Sequence, residues 1–132
     1  MSIVWLERDV VLALHDAVLS AHGGEMGIAD YMALDAARGR ATLGGRARAE
    51  DAATVAALIL CAFISRRPFR SGNARTGAAA METFLNLNGL ELAALEEDVA
   101  VAVKAVVSGE WMAEDMVGWL NQSVKPRFAM AG

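Results

Sequence analysis

The residues with the most chemical promise stand together, in the run Arg66-Arg67-Pro68-Phe69-Arg70-Ser71-Gly72-Asn73-Ala74-Arg75. Pro68 predicts the end of a preceding helix, because the residue before a proline is driven out of the α region. Gly72 permits a tight turn, and the apolar periodicity that follows predicts a new helix. The first N–H groups of a helix have no intrahelical acceptor, and the helix dipole places partial positive charge there, so such a start favours an anion. Arg75, one turn further, has the fork geometry to grip phosphate oxygens, and Arg67 and Arg70 add charge on the other side. Asn73 suits either of two tasks, fixing the loop or donating a bond to a ligand. Together these residues predict a phosphate pocket at Gly72, Asn73 and Arg75. The plainer reading also stands, since many helices begin after a glycine near an arginine and bind nothing.

Other reactive side chains are few. Cys61 is the lone cysteine, which excludes an intramolecular disulfide and fits a cytoplasmic protein. It lies in the apolar run Leu58-Ile59-Leu60-Cys61-Ala62-Phe63 and reads as an inert packed thiol. His15 and His22 are the only histidines, with no Cys partner set, so a zinc site with the usual ligands is not expected. The net charge of −4 is uneven: eight arginines lie between Arg38 and Arg75 against Glu50 and Asp51 alone. The arginines at 38, 40, 46 and 48, set among Gly39, Gly44 and Gly45, read as a solvated, mobile loop. Nucleic acid is a poor fit to that segment, because the chain is acidic overall and no aromatic side chain is interleaved with the arginines.

The elements that must position these residues are helical. Alanine outnumbers valine, isoleucine and threonine combined, and 55% of the chain is hydrophobic with two prolines. At 132 residues the chain is predicted to be one all-α domain with its own core, with no internal repeat. Six helical patterns are predicted: Leu6 to His22, Asp30 to Gly39, Glu50 to Ile64, the residues after Gly72 to Asn88, Glu96 to Ser108, and Ala113 to Val124. Ser2 to Trp5 and Leu90 to Leu92 read as short extended pieces. Val55, Leu58, Ile59, Ala62, Phe63, Phe84 and Leu87 are the expected core, with Val99, Val103, Val106 and Val107 facing inward from the fifth helix. The longest uncharged run, Ala52 to Ser65, would span only ~21 Å as a helix, which suits a core helix and not a membrane crossing. Glu7, Arg8 and Asp9 interrupt any signal-peptide pattern, so a soluble chain is expected.

The run from Arg67 to Thr76, R-P-F-R-S-G-N-A-R-T, resembles the motif H-P-F-x-D-G-N-K-R-T of the Fic/Doc family, in particular its Doc (death-on-curing) branch. The resemblance extends to Ala13-Leu14-His15-Asp16, His22-Gly23-Gly24, Gly27-Ile28-Ala29-Asp30 and Phe84-Leu85-Asn86-Leu87-Asn88-Gly89. It implies a compact helical bundle that transfers a group from ATP to a protein hydroxyl: AMP in most Fic enzymes, a phosphoryl group onto elongation factor Tu in Doc toxins. It also implies a toxin–antitoxin pair, in which a small antitoxin lays a helix in a groove of the toxin. In such a motif the histidine is the general base, the acid holds Mg²⁺, and the glycine, asparagine and arginine bind phosphate. Phe69, Gly72, Asn73 and Arg75 match. Arg67 stands at the histidine's place, and a guanidinium cannot accept a proton near neutral pH. Ser71 stands at the acid's place, and a neutral hydroxyl is a poor ligand for a hard cation. Ala74 stands where a lysine would add charge. The resemblance therefore implies ATP as cofactor while putting Mg²⁺ in doubt. A Doc-like toxin impaired in transfer and a non-catalytic Doc-fold module that binds an anion, nucleotide or partner protein are the two readings that follow.

Overall fold

The computed structural model describes residues 2–127. Among them are six α-helices: α1 (Arg8–His22), α2 (Tyr31–Ala37), α3 (Ala52–Arg66), α4 (Asn73–Leu87), α5 (Glu96–Ser108) and α6 (Ala113–Ser123). Two short 3₁₀ turns, Thr42–Gly45 and Ala49–Asp51, lead into α3. Two three-residue strands, β1 (Leu90–Leu92) and β2 (Val124–Pro126), pair antiparallel with Glu91 opposite Lys125. The all-α expectation holds, and no helix among the described residues is long and apolar enough to cross a membrane.

Helix α3 is the axis of the bundle, packed against α2, α4, α5 and α6. Its many alanines let neighbours approach on several sides, so Ala52, Ala53, Ala56, Ala57 and Leu60 are buried together with the expected Val55, Ile59 and Phe63. Leu58 and Ala62, also expected inside, are only half-buried. A single apolar stripe underestimates a helix that is covered almost all round. Phe84 is buried as expected, whereas Leu87 is 44% exposed at the end of α4. Helices α3 and α4 form a hairpin whose close contact depends on Gly77, since a Cβ there would lie 2.7 Å from Phe63 Cβ.

Some boundaries depart from the sequence pattern. Helix α1 begins two residues late because Leu6 is fully buried ahead of it, with its carbonyl accepting from Arg38 Nη1 at 3.0 Å. Val4 pairs with no strand; its N–H and C=O are held by the Asn88 side-chain amide at 2.7 and 2.9 Å. Val124 leaves α6 to open β2, a pairing with β1 that no local pattern announces. Helix α5 buries Ala102 and Ala105, while Val107 is 55% exposed and Val99 and Val103 line a groove against α4. Ala102 and Ala105 are the residues buried at that contact, and Val103 and Val106 pack against the core beside them, only partly buried.

Candidate functional site

Every residue from Arg67 to Asn73 is tied down, mostly by the segment joining α1 to α2. Helix α3 ends with Arg67 in the left-handed region (φ 49°, ψ 61°), its N–H still donating to Phe63 O at 3.2 Å. A non-glycine residue there costs ~1–2 kcal/mol. Pro68 O accepts from the N–H groups of Ala29 and Asp30 at 2.8 and 3.1 Å, and Arg70 N–H donates to Gly27 O at 3.1 Å. Ile28 and Phe69 thereby form a two-residue antiparallel bridge.

Phe69 is buried between the rings of His15, stacked at 3.7 Å and 6°, and Phe63 at 6.4 Å. The side-chain amide of Asn73 closes on the Phe69 backbone, donating from Nδ2 to Phe69 O and accepting Phe69 N–H at Oδ1, both at 2.9 Å. Of the two roles open to Asn73 in the sequence, the structure assigns its side chain to fixing the loop. Its backbone N–H has no partner among the described residues. Gly72, at φ 75°, is the N-cap of α4, and a side chain there would be strained and would press on Val18 at 3.3 Å.

No hydrogen bond among the described residues takes up the N–H groups of Gly72, Asn73, Ala74 or Arg75. The first turn of α4 has no acid, so nothing in it cancels the positive end of the dipole. Arg66, Arg67 and Arg75 are exposed, with no ion pair among the described residues. Arg70 is shared with Glu25 at 3.7 Å. The structure puts Gly72 at the N-cap and Asn73 and Arg75 in the first turn of α4.

The two histidines are what sequence reasoning could not place. His15 is buried directly beneath the loop, its Nε2 3.0 Å from Ser71 O. A carbonyl only accepts, so Nε2 carries the proton and donates. Engaged in this way through Nε2, His15 supports the loop from beneath. His22 is exposed at the end of α1 and enters the wall of the α4–α5 groove with Ala74 and Arg75. That groove, about 940 Å³, runs from Arg75 past Ala78 and Glu82 along Val99, Val103 and Val107. The spacing of His22, Gly23 and Gly24 after an amphipathic helix was the available signal, but it needs the helix crossing to become a position.

The donors left open at the loop are amides and guanidiniums, which suit an anion, and Ser71 presents no carboxylate to a cation. Ser71 Oγ accepts Glu25 N–H at 2.7 Å and donates to Glu25 O at 3.1 Å, so its proton and one lone pair are committed to the Glu25 backbone. Among the described residues no group of three or more His, Cys, Asp or Glu is arranged around a metal. Cys61 lies half-buried in α3, where burial raises its thiol pKa and keeps it protonated.

With this geometry in hand, the similarities of the chain become informative. Residues 5–85 match the family model described as Fic/DOC family. A 92-residue stretch is 39% identical to Toxin Doc of Mycolicibacterium smegmatis and covers 68% of each chain. The family match ends within α4, so it contains α1, the bracing segment and the whole arginine-flanked loop.

Proposed function

Since the chain belongs to the Fic/Doc family, on its Doc toxin branch, we propose that it is a toxin component that binds nucleotide phosphate and has lost the ordinary transfer reaction. The observation that carries this reading is the division within one loop. The groups that hold an anion are open, namely the amides from Gly72 to Arg75 and the Arg67 and Arg75 guanidiniums. The groups that would do chemistry are absent or engaged, because Arg67 occupies the base position and Ser71 is bonded to Glu25. Removing a general base typically slows a reaction ~10²–10⁴-fold. Arg67 adds charge where a proton acceptor would stand, which favours ground-state anion binding over turnover.

The test has two arms. Calorimetry should show ATP or ADP binding to the wild type and its loss in Arg75→Ala. Labelled ATP incubated with elongation factor Tu, the protein target proposed by branch, should give no labelled product. Label transfer at roughly 1–100 per second, the range of working kinases, would overturn the reading.

The antitoxin partner follows from the same lineage. We assign it to the α4–α5 groove, whose apolar floor of Ala78, Val99 and Val103 suits an amphipathic helix that folds on binding. Co-expression with the neighbouring gene product should yield one complex by size exclusion; two separately migrating proteins would contradict it. A second, catalytic reading has one observation in its favour, the place of His22 in the groove wall beside Arg75. If label transfer is seen, His22→Ala should abolish it.

A further inference from the structure

We infer that Ser71 is a positioning residue that fastens the Gly23–Ala29 segment onto the phosphate loop, so that the loop takes its anion without a divalent cation. The inference rests on the reading of this loop as a phosphate site and concerns how that site is held and what it excludes.

Residue 71 is held at three points. Its hydroxyl makes a reciprocal pair with the Glu25 backbone, 2.7 Å as acceptor and 3.1 Å as donor. Its carbonyl accepts from His15 Nε2 at 3.0 Å. Gly24 lies flat against it, so closely that a Cβ added to Gly24 would collide with Ser71 Oγ. A serine is suited to this position because one hydroxyl both donates and accepts. An ionised carboxylate only accepts; it would keep the Glu25 N–H bond but set oxygen against the Glu25 carbonyl. The acid position of the motif has thus become part of the brace. The carboxylate brought nearest to this brace, that of Glu25, is itself paired with Arg70 at 3.7 Å. Charge on a bound phosphate then falls to the exposed guanidiniums of Arg67 and Arg75.

The test compares ADP binding to the full chain in EDTA and in excess Mg²⁺, with amide exchange at Glu25 followed in parallel. Wild type should bind with affinities within about twofold in the two buffers, whereas a metal-dependent site would bind about tenfold or more tightly with Mg²⁺, which would overturn the inference. Ser71→Ala should retain its melting temperature, speed Glu25 amide exchange and weaken ADP about two- to tenfold, as loss of a modest hydrogen bond allows. Unchanged Glu25 exchange in that variant would refute the fastening role. Ser71→Asp should bind ADP more weakly in both buffers. If Mg²⁺ instead tightened its binding tenfold, the position would still be a metal site and the inference would fail. Absence of ADP binding by wild type in either buffer would remove the phosphate reading itself, while the exchange data would still report on the brace.

Discussion

Two arginine-rich segments flank the same helix, at ends of α3 separated by ~22 Å, and they have come to opposite uses. At the N-terminal end, Arg38, Arg40, Arg46 and Arg48 precede a helix start that supplies its own negative charge: Asp51 is the N-cap of α3 and its carboxylate accepts Arg48 N–H at 2.9 Å. Arg38 is turned back into the fold, on Leu6 O at 3.0 Å and Asp35 at 3.4 Å. At the C-terminal end, the arginines flank the start of α4, whose N-cap is Gly72 and which has no acid at the cap or in its first turn. Similar composition therefore gives a helix start with its own carboxylate in one place and an arginine-flanked start without one in the other. Arginine count does not make a site. What differs is whether a carboxylate already stands at the helix start.

The comparison is broken most severely by removing what holds the second segment in shape. Phe69→Ala would empty the slot between His15 and Phe63 and release the backbone that Asn73 clamps. Truncating a buried phenylalanine costs ~3–5 kcal/mol, so a large fall in the denaturation midpoint and loss of anion binding are expected. Gly72→Ala is a milder form of the same insult. It forces a side chain into the left-handed region at ~1–2 kcal/mol, against Val18. A midpoint unchanged from wild type in both would show that the loop is not the braced element described.

The comparison is sharpened by charge removal at each end in turn. Arg75→Ala should weaken phosphate binding by ~1.5–3 kcal/mol, the usual worth of a charge-assisted bond, with no change in stability. Arg46→Ala should leave binding unaltered. Equal losses from the two variants would mean that diffuse charge, and not the cradle, attracts the anion.

How far the sequence reaches is visible in the same two segments. Pro68 and Gly72 fix backbone conformation locally, so the break between α3 and α4 and the helix start could be read directly. The arginine and serine substitutions were equally legible, because chemistry is set by residue type. What the sequence could not give is tertiary: that Asn73 spends its side chain on Phe69, that Ser71 meets Glu25 across 46 residues, and that His15 lies under the loop across 56. The same limit accounts for α5, where periodicity marked a valine stripe: Val103 and Val106 do pack against the core, but Ala102 and Ala105 are the buried residues and Val107 is exposed. The 38–48 segment, expected to be a mobile loop, holds a short 3₁₀ turn, with Leu43 and Gly44 in the left-handed region and Arg38 anchored at its base.

The smallest expected effect concerns the anchorage of that first segment. Arg8 at the start of α1 grips Asp35 of α2 with both carboxylate oxygens, at 2.8 and 2.7 Å, and Arg38 approaches the same group. Bonding to Arg8 lowers the Asp35 pKa below the usual carboxylate range, and raises that of Arg8. A carboxylate with a depressed pKa stabilises the fold above its unfolded-state pKa and loses that contribution as pH falls through its folded-state value. The pair is exposed, so water and salt screen it and the effect on stability is small. Comparing wild type with Asp35→Asn should therefore show a modest, constant difference in unfolding midpoint from neutral pH to about pH 5. The difference should shrink below that pH and also in high salt. Phosphate binding at the far end of α3 should not differ between the two proteins at any pH tested. If it did, the two arginine-rich segments would be coupled through α3, and the contrast between them would have to be recast as one site with two halves.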